Sequence, residues 1–116
     1  MQVTEYQDIA DLMTGTKVTV FVKNRCRGIA YPGDTKVVVP AWIQSRPTEY
    51  QYYYVIHEVC HILVNTHLHS RQFKAVECYW LAEFGIVPIY GKSGRRAYPT
   101  QLKSAAGPTL FDSGRE

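Results

Sequence analysis

Apolar positions along the first 90 residues recur in two different periods, and the changes of period outline the elements. Tyr6, Ile9, Ala10 and Met13 return at three- and four-residue spacing as far as Gly15, and Thr4-Glu5-Tyr6-Gln7 has the form of a capping box. A short amphipathic helix is therefore predicted at the start. Over residues 17–22 the apolar period shortens to two and β-branched side chains dominate, which predicts a strand. Residues 27–31 and 36–39 flank Pro32-Gly33-Asp34-Thr35, a turn-forming set, and predict a hairpin. Pro40 and Pro47 punctuate the next stretch, Thr48 is suited to cap a helix, and residues 49–66 contain neither Gly nor Pro, so a long second helix is predicted. Ser70 is suited to cap a third, in which Phe73, Val76, Trp80 and Phe84 share a face until Gly85 and Pro88 end it. The order predicts an α+β domain: a small, mostly antiparallel three-stranded sheet packed against the second helix, with helices flanking it toward both termini.

Composition narrows the class. A chain of 116 residues suits one domain, and 46% hydrophobic with 20% charged residues is the balance of a soluble globular protein. No apolar run approaches the ~18 residues of a membrane span, and the first residues lack the basic patch and apolar core of a secretory signal, so a cytoplasmic location is expected. Cys26, Cys60 and Cys78 are odd in number and form no CxxC pair, which leaves neither a disulfide framework nor a cysteine zinc site and predicts reduced, mostly buried thiols. Charge is divided unevenly. Residues 1–90 hold eight Lys/Arg and eight Asp/Glu, whereas residues 91–116 hold five basic residues against two acidic ones and carry the whole net charge of +3. The expected organisation is one domain over residues 1–90 and a basic, Gly- and Pro-containing tail over 91–116 without regular structure. Such a tail is suited to weak nucleic-acid contact, and with Tyr98, Leu102 and Phe111 as anchors it is long enough to fold back over a cleft of its own domain.

The chemistry is concentrated in His57-Glu58-Val59-Cys60-His61, an HExxH inside the predicted second helix. With this composition the pattern arises by chance in about one such chain in a hundred. At about 100° per residue, His57 and His61 lie about 40° apart and reach one metal ion, with Glu58 beside them. Tyr50, Tyr54 and Asn65 share that face, and Glu58 is the only acid between residues 50 and 66. The alternative is a pair of packed histidines with Glu58 bonded to an arginine. A divalent ion accounts for all three side chains at once, because it partners the carboxylate's charge and takes both imidazoles. Imidazole nitrogen favours zinc over calcium or magnesium. The third ligand has three candidates. His67 lies six residues after His61, the metzincin interval, but Val64 stands where that pattern has a glycine; His69 lies eight residues after His61; and Glu77 is either a ligand or the partner of one. Cys60, on the side away from Glu58, reads as a buried small hydrophobe, and Tyr52, Trp42 and Trp80 as core.

Residues 28–84 resemble the zinc-metallopeptidase core of the SprT-like family and its small WLM-type relatives. Gly28-Ile29-Ala30-Tyr31, Val37-Val38-Val39, His57 to His61 and His69-Ser70-Arg71-Gln72-Phe73-Lys74 match in order that family's hairpin, apolar strand, HExxH helix and H-x-x-x-F opening of the next helix. The resemblance implies a zincin-like fold, zinc held by His57, His61 and His69, and Glu58 as the general base that activates water against a peptide bond. It also implies that Val37-Val38-Val39 is an edge along which an extended protein or peptide substrate pairs. The oxyanion would need a further donor, for which Tyr50, Tyr54 and His67 are available. These 116 residues contain no match to the cysteine zinc ribbon of longer family members, so the resemblance is not taken to imply their DNA-linked roles. The competing function is a catalytically silent module that keeps the scaffold and holds a protein or nucleic-acid partner in its groove or on its tail; an intact Glu58 speaks against it.

Overall fold

A computed structural model describes residues 3–15 and 17–86. The basic tail over residues 91–116, its anchors Tyr98, Leu102 and Phe111, and Pro88 lie outside the described residues. Three helices and three strands follow in the predicted order: α1 (Val3–Thr14), β1 (Thr19–Lys23), β2 (Ile29–Tyr31), β3 (Lys36–Pro40), α2 (Thr48–Val64) and α3 (Arg71–Glu83). Short 3-10 turns, Pro32–Asp34 and Ala41–Ser45, join β2 to β3 and β3 to α2. α1 begins at Val3, one residue before the predicted Thr4 cap, and stops at Gly15, whose φ of 70° lets its N–H reach Asp11 O at 2.8 Å. Thr48 is the first residue of α2 rather than its cap, since Pro47 takes the capping position with its fixed φ. Ser70 caps α3 as predicted, its hydroxyl accepting the Phe73 N–H at 3.2 Å.

The sheet is mixed, with strand order β1-β3-β2. β2 and β3 form the predicted antiparallel hairpin, with Ile29 opposite Val38 and Tyr31 opposite Lys36. β1, expected to join an antiparallel arrangement, instead runs parallel to β3 with Val20 opposite Val37 and Val22 opposite Val39. β3 is therefore the central strand, which corrects the expectation that Val37-Val38-Val39 is an edge. The physical reason is legible in the burial pattern. Val37, Val38 and Val39 are all buried, as a strand covered on both faces requires, whereas β1 alternates between buried Val20 and exposed Thr19 and Phe21. Among the described residues β1 and β2 are the two edges. The edge of β1 is occupied by Gln7 of α1, whose amide donates to Val18 O at 2.7 Å and accepts from Val20 N–H at 2.9 Å.

The core lies between the helices and the sheet. Ile9, Ala10 and Met13 of α1 meet Val20, Val37 and Val39 of the sheet and Val55, Ile56 and Val59 of α2, and α3 closes the far side with Phe73 and Leu81. Tyr6 is fully buried, and its hydroxyl donates to the Gln51 side chain, which in turn donates to Arg46 O at 2.7 Å. This chain ties α1 to the start of α2. Burial, helped by Glu5, pushes the Tyr6 phenol up to about 12, so it remains a donor at any ordinary pH. Trp80 packs partly buried against this core and Tyr52 sets its ring 5.8 Å from Phe84, away from the HExxH face, as expected of core residues. Among the described residues no helix is long and apolar enough to cross a membrane.

Candidate metal centre and cleft

α2 carries His57, Glu58 and His61 on one side, all buried. The chain must then reverse to bring a third group to them. Asn65 does this by adopting the left-handed conformation, φ 59°, so that Thr66 N–H bonds His61 O at 3.1 Å and residues 66–69 return over the end of the helix. The turn that glycine gives in the metzincin pattern is here one residue later and made by asparagine, the other residue that tolerates this conformation. His69, placed just ahead of α3, meets the two helical histidines: one nitrogen from each of His57, His61 and His69 lies within 4.8 Å of the others. His57 Nε2 and His69 Nε2 are 3.1 Å apart. Phe73 lies under the group, its ring centre 5.0, 4.4 and 5.1 Å from those of His57, His61 and His69. His67 lines the same cleft but is exposed and outside the cluster, and Glu77 is not part of it.

Hydrogen bonding sets the imidazoles. His57 Nδ1 meets the carboxylate of Glu77, a residue of α3 with no solvent exposure, and His61 Nδ1 meets Thr66 O at 2.7 Å. A backbone carbonyl only accepts, and an ionised carboxylate likewise, so both Nδ1 atoms carry the proton and both Nε2 atoms present lone pairs. Lone pairs converging from two rings onto a third nitrogen fit a cation, and an all-imidazole donor set suits zinc. Carboxylate and carbonyl acceptors behind ligating histidines are the usual means of fixing such rings. The Cys60 thiol, next to His61 in sequence, is buried and pushed well up, first by burial and then by Glu77 and Cys78, so it stays protonated.

A cleft of about 480 Å³ opens beside the three histidines, and Glu58 lines it. Trp42, Tyr50 and Tyr54 form one wall, with ring centres about 6 Å apart and the Arg46 guanidinium 5.0 Å over Trp42. Trp42 was expected in the core; it is 36% exposed because its indole N–H reaches out to Cys26 O at 3.0 Å and turns the ring into the cleft. Cys26, expected among mostly buried thiols, is exposed, while Cys60 is buried and Cys78 half-buried; all three are free. The chain from Arg27 into β2 also lines the cleft, joined to these aromatics. Gly28 sits where it crosses the HExxH helix, its N–H donating to Tyr54 OH at 2.9 Å. A Cβ here would lie 2.6 Å from Tyr54 Cε1, 3.0 Å from Val38 O and 3.2 Å from Glu58 Oε2, so only glycine lets the strand come this close. Composition and spacing gave this glycine no special weight. Gly28→Ala is expected to cost roughly 1–3 kcal/mol by overpacking and to lower turnover by displacing Tyr54 and Glu58. Denaturant midpoints measured beside activity check this, and an unchanged midpoint would mean that the loop yields.

No family model matches the chain, and no curated protein matches it. Solved structures do. The metallopeptidase zymogen abylysin of Pyrococcus abyssi superposes with a TM-score of 0.58 at 18% identity, over 66% of this chain and 77% of that one. The metallopeptidase zymogen jannalysin of Methanocaldococcus jannaschii superposes with a TM-score of 0.60 at 9% identity, over 90% of this chain and 93% of that one. At these identities the likeness is one of fold. The chain thus has a small α+β fold similar to that of metallopeptidase zymogens, with three histidines gathered where its long helix meets the cleft.

Proposed function

We propose that the chain is a zinc-dependent endopeptidase of the SprT-like and WLM-type kind, with His57, His61 and His69 as metal ligands and Glu58 as general base. The observation that carries this reading is the set of three clustered imidazoles, two of them held by Glu77 and Thr66 O with Nε2 free of its proton, beside a buried glutamate in an open cleft. Bound there, zinc would supply a Lewis acid for a peptide carbonyl and make water nucleophilic at neutral pH. Glu58 takes the proton of the attacking water and passes it to the departing amine. Tyr54, whose hydroxyl oxygen accepts from the Gly28 N–H, stands in the cleft wall as the candidate donor to the oxygen that becomes negative.

The substrate is an extended protein or peptide segment. β3 is paired on both sides and Gln7 occupies the edge of β1, so β2 is the edge to which such a segment adds by main-chain hydrogen bonds. Main-chain pairing is tolerant of sequence. Three free cysteines suit a reducing compartment, and a cytoplasmic location belongs to the same proposal. The test is metal analysis of protein purified without chelator, with casein hydrolysis followed before chelation, after it, and after zinc is returned. Stoichiometric zinc and activity that disappears and returns with it are expected. Metal-free, folded and inactive protein would instead favour a silent binding module.

A further inference from the structure

The end of β1 and the loop that follows it, residues 23–27, read Lys23-Asn24-Arg25-Cys26-Arg27 and are exposed throughout. It is held against the cleft from both ends of its last turn. Trp42 Nε1 donates to Cys26 O at 3.0 Å, and Gly28 N–H donates to Tyr54 OH at 2.9 Å, so the backbone on either side of Arg27 is fixed to the aromatic wall. Arg27 consequently lines the cleft itself. A second hollow, lined by residues 23–27 alone, adjoins it and shares Cys26 and Arg27 with it. Among the described residues Glu58 is the only acid lining either hollow. Among the described residues none of Lys23, Arg25 and Arg27 forms an ion pair with a carboxylate. Three cations are thus gathered on a positioned segment, at one end of the edge strand, with no carboxylate ion-paired to them among the described residues.

We propose that Arg27, backed by Arg25 and Lys23, recognises a carboxylate of the bound peptide, so that the cleft selects chains carrying negative charge where they run past Gly28 onto the 23–27 loop. The inference rests on the peptidase reading and names its substrate class. A guanidinium offers paired N–H donors that match a carboxylate in two parallel bonds, which an ammonium does not. The carboxylate has two possible sources, an Asp or Glu side chain or the free C-terminus. The loop is solvated, so the preference is three- to tenfold at low salt and shrinks as ionic strength rises past about 0.1 M, where the screening length falls to about 10 Å.

The experiment uses decapeptides of one sequence with amidated C-termini, in which a single Glu is moved along the chain, each paired with its Gln counterpart. One further peptide carries Gln and a free C-terminal carboxylate. Binding to full-length Glu58→Gln protein is measured by calorimetry, and cleavage by the wild type is measured in parallel. A Glu peptide of one register binding and being cut three- to tenfold better than its Gln partner identifies a side chain; the same gain confined to the free C-terminus identifies a terminal carboxylate. Arg27→Gln is expected to bring the ratio close to one, Arg27→Lys to restore part of it, and Lys17→Gln, an exposed charge change outside both hollows, to leave it unchanged. Equal binding of Glu and Gln peptides in every register, a preference undiminished in Arg27→Gln, or no binding at millimolar peptide each overturn the proposal. Preferential binding without any cleavage sinks the peptidase reading and leaves carboxylate recognition standing, while cleavage without preference does the reverse.

Discussion

Replacing Glu58 by Gln is expected to abolish turnover, lowering casein hydrolysis by roughly 10²–10⁴-fold, while zinc content and fold are kept. The two side chains have the same shape, so the close approach at Gly28, where a Cβ would come within 3.2 Å of Glu58 Oε2, accommodates the amide as well. Gln cannot take a proton from water. The exchange is nearly isosteric at a site of 6% exposure, so the thermal midpoint should stay close to that of the wild type. Activity, metal content and midpoint measured on one preparation separate the possibilities. More than a tenth of wild-type activity remaining would remove Glu58 from the role of base, and loss of zinc would show that it helps to hold the metal.

Glu77 is expected to matter almost as much, although it lies outside the cleft. Its carboxylate accepts from His57 Nδ1, fixing both the tautomer and the direction of the ring, at a site without solvent. Glu77→Gln retains an acceptor but loses the charge, and zinc should bind ten- to a hundredfold more weakly. Glu77→Ala leaves a buried N–H without its acceptor and a cavity under α3, for a loss of about 2–4 kcal/mol. Competition with a chelator of known affinity reads the first effect, and denaturant unfolding of the chelator-treated protein reads the second independently of the metal. Unaltered zinc affinity in Glu77→Gln would mean that His61 and His69 suffice to orient the site.

Several residues outside the HExxH show why some features were legible and others were not. Ser70 announced a helix start because its hydroxyl acts on an N–H three residues away, a local interaction that any chain makes in the same way. Glu77 carried no comparable signal. Sequence reasoning left it between ligand and partner, and only the packing of α3 on α2 brings it to the back of His57. Trp42 read as core from its size alone; the Cys26 carbonyl that draws its indole toward the cleft belongs to a loop sixteen residues earlier. Gly28 is similar, since the crowding that demands glycine comes from Tyr54 and Glu58, which are distant in sequence.

What the sequence alone determined is whatever depends on short-range periodicity: the six elements and their order, and the placing of His57, Glu58 and His61 on one side of a helix. Helical geometry fixes that last relation whatever else surrounds it. Tertiary structure decided that β3 is central and parallel to β1, with β1 and β2 at the edges among the described residues, and that His69, which the family resemblance implied, joins the cluster while His67 does not. Strand neighbours and the direction of a reversing chain follow from how whole faces are buried together, and residues 3 or 4 apart hold no information about that. The left-handed turn at Asn65 joins the two levels: a single local conformation, whose consequence for the site exists only once α3 has packed against α2.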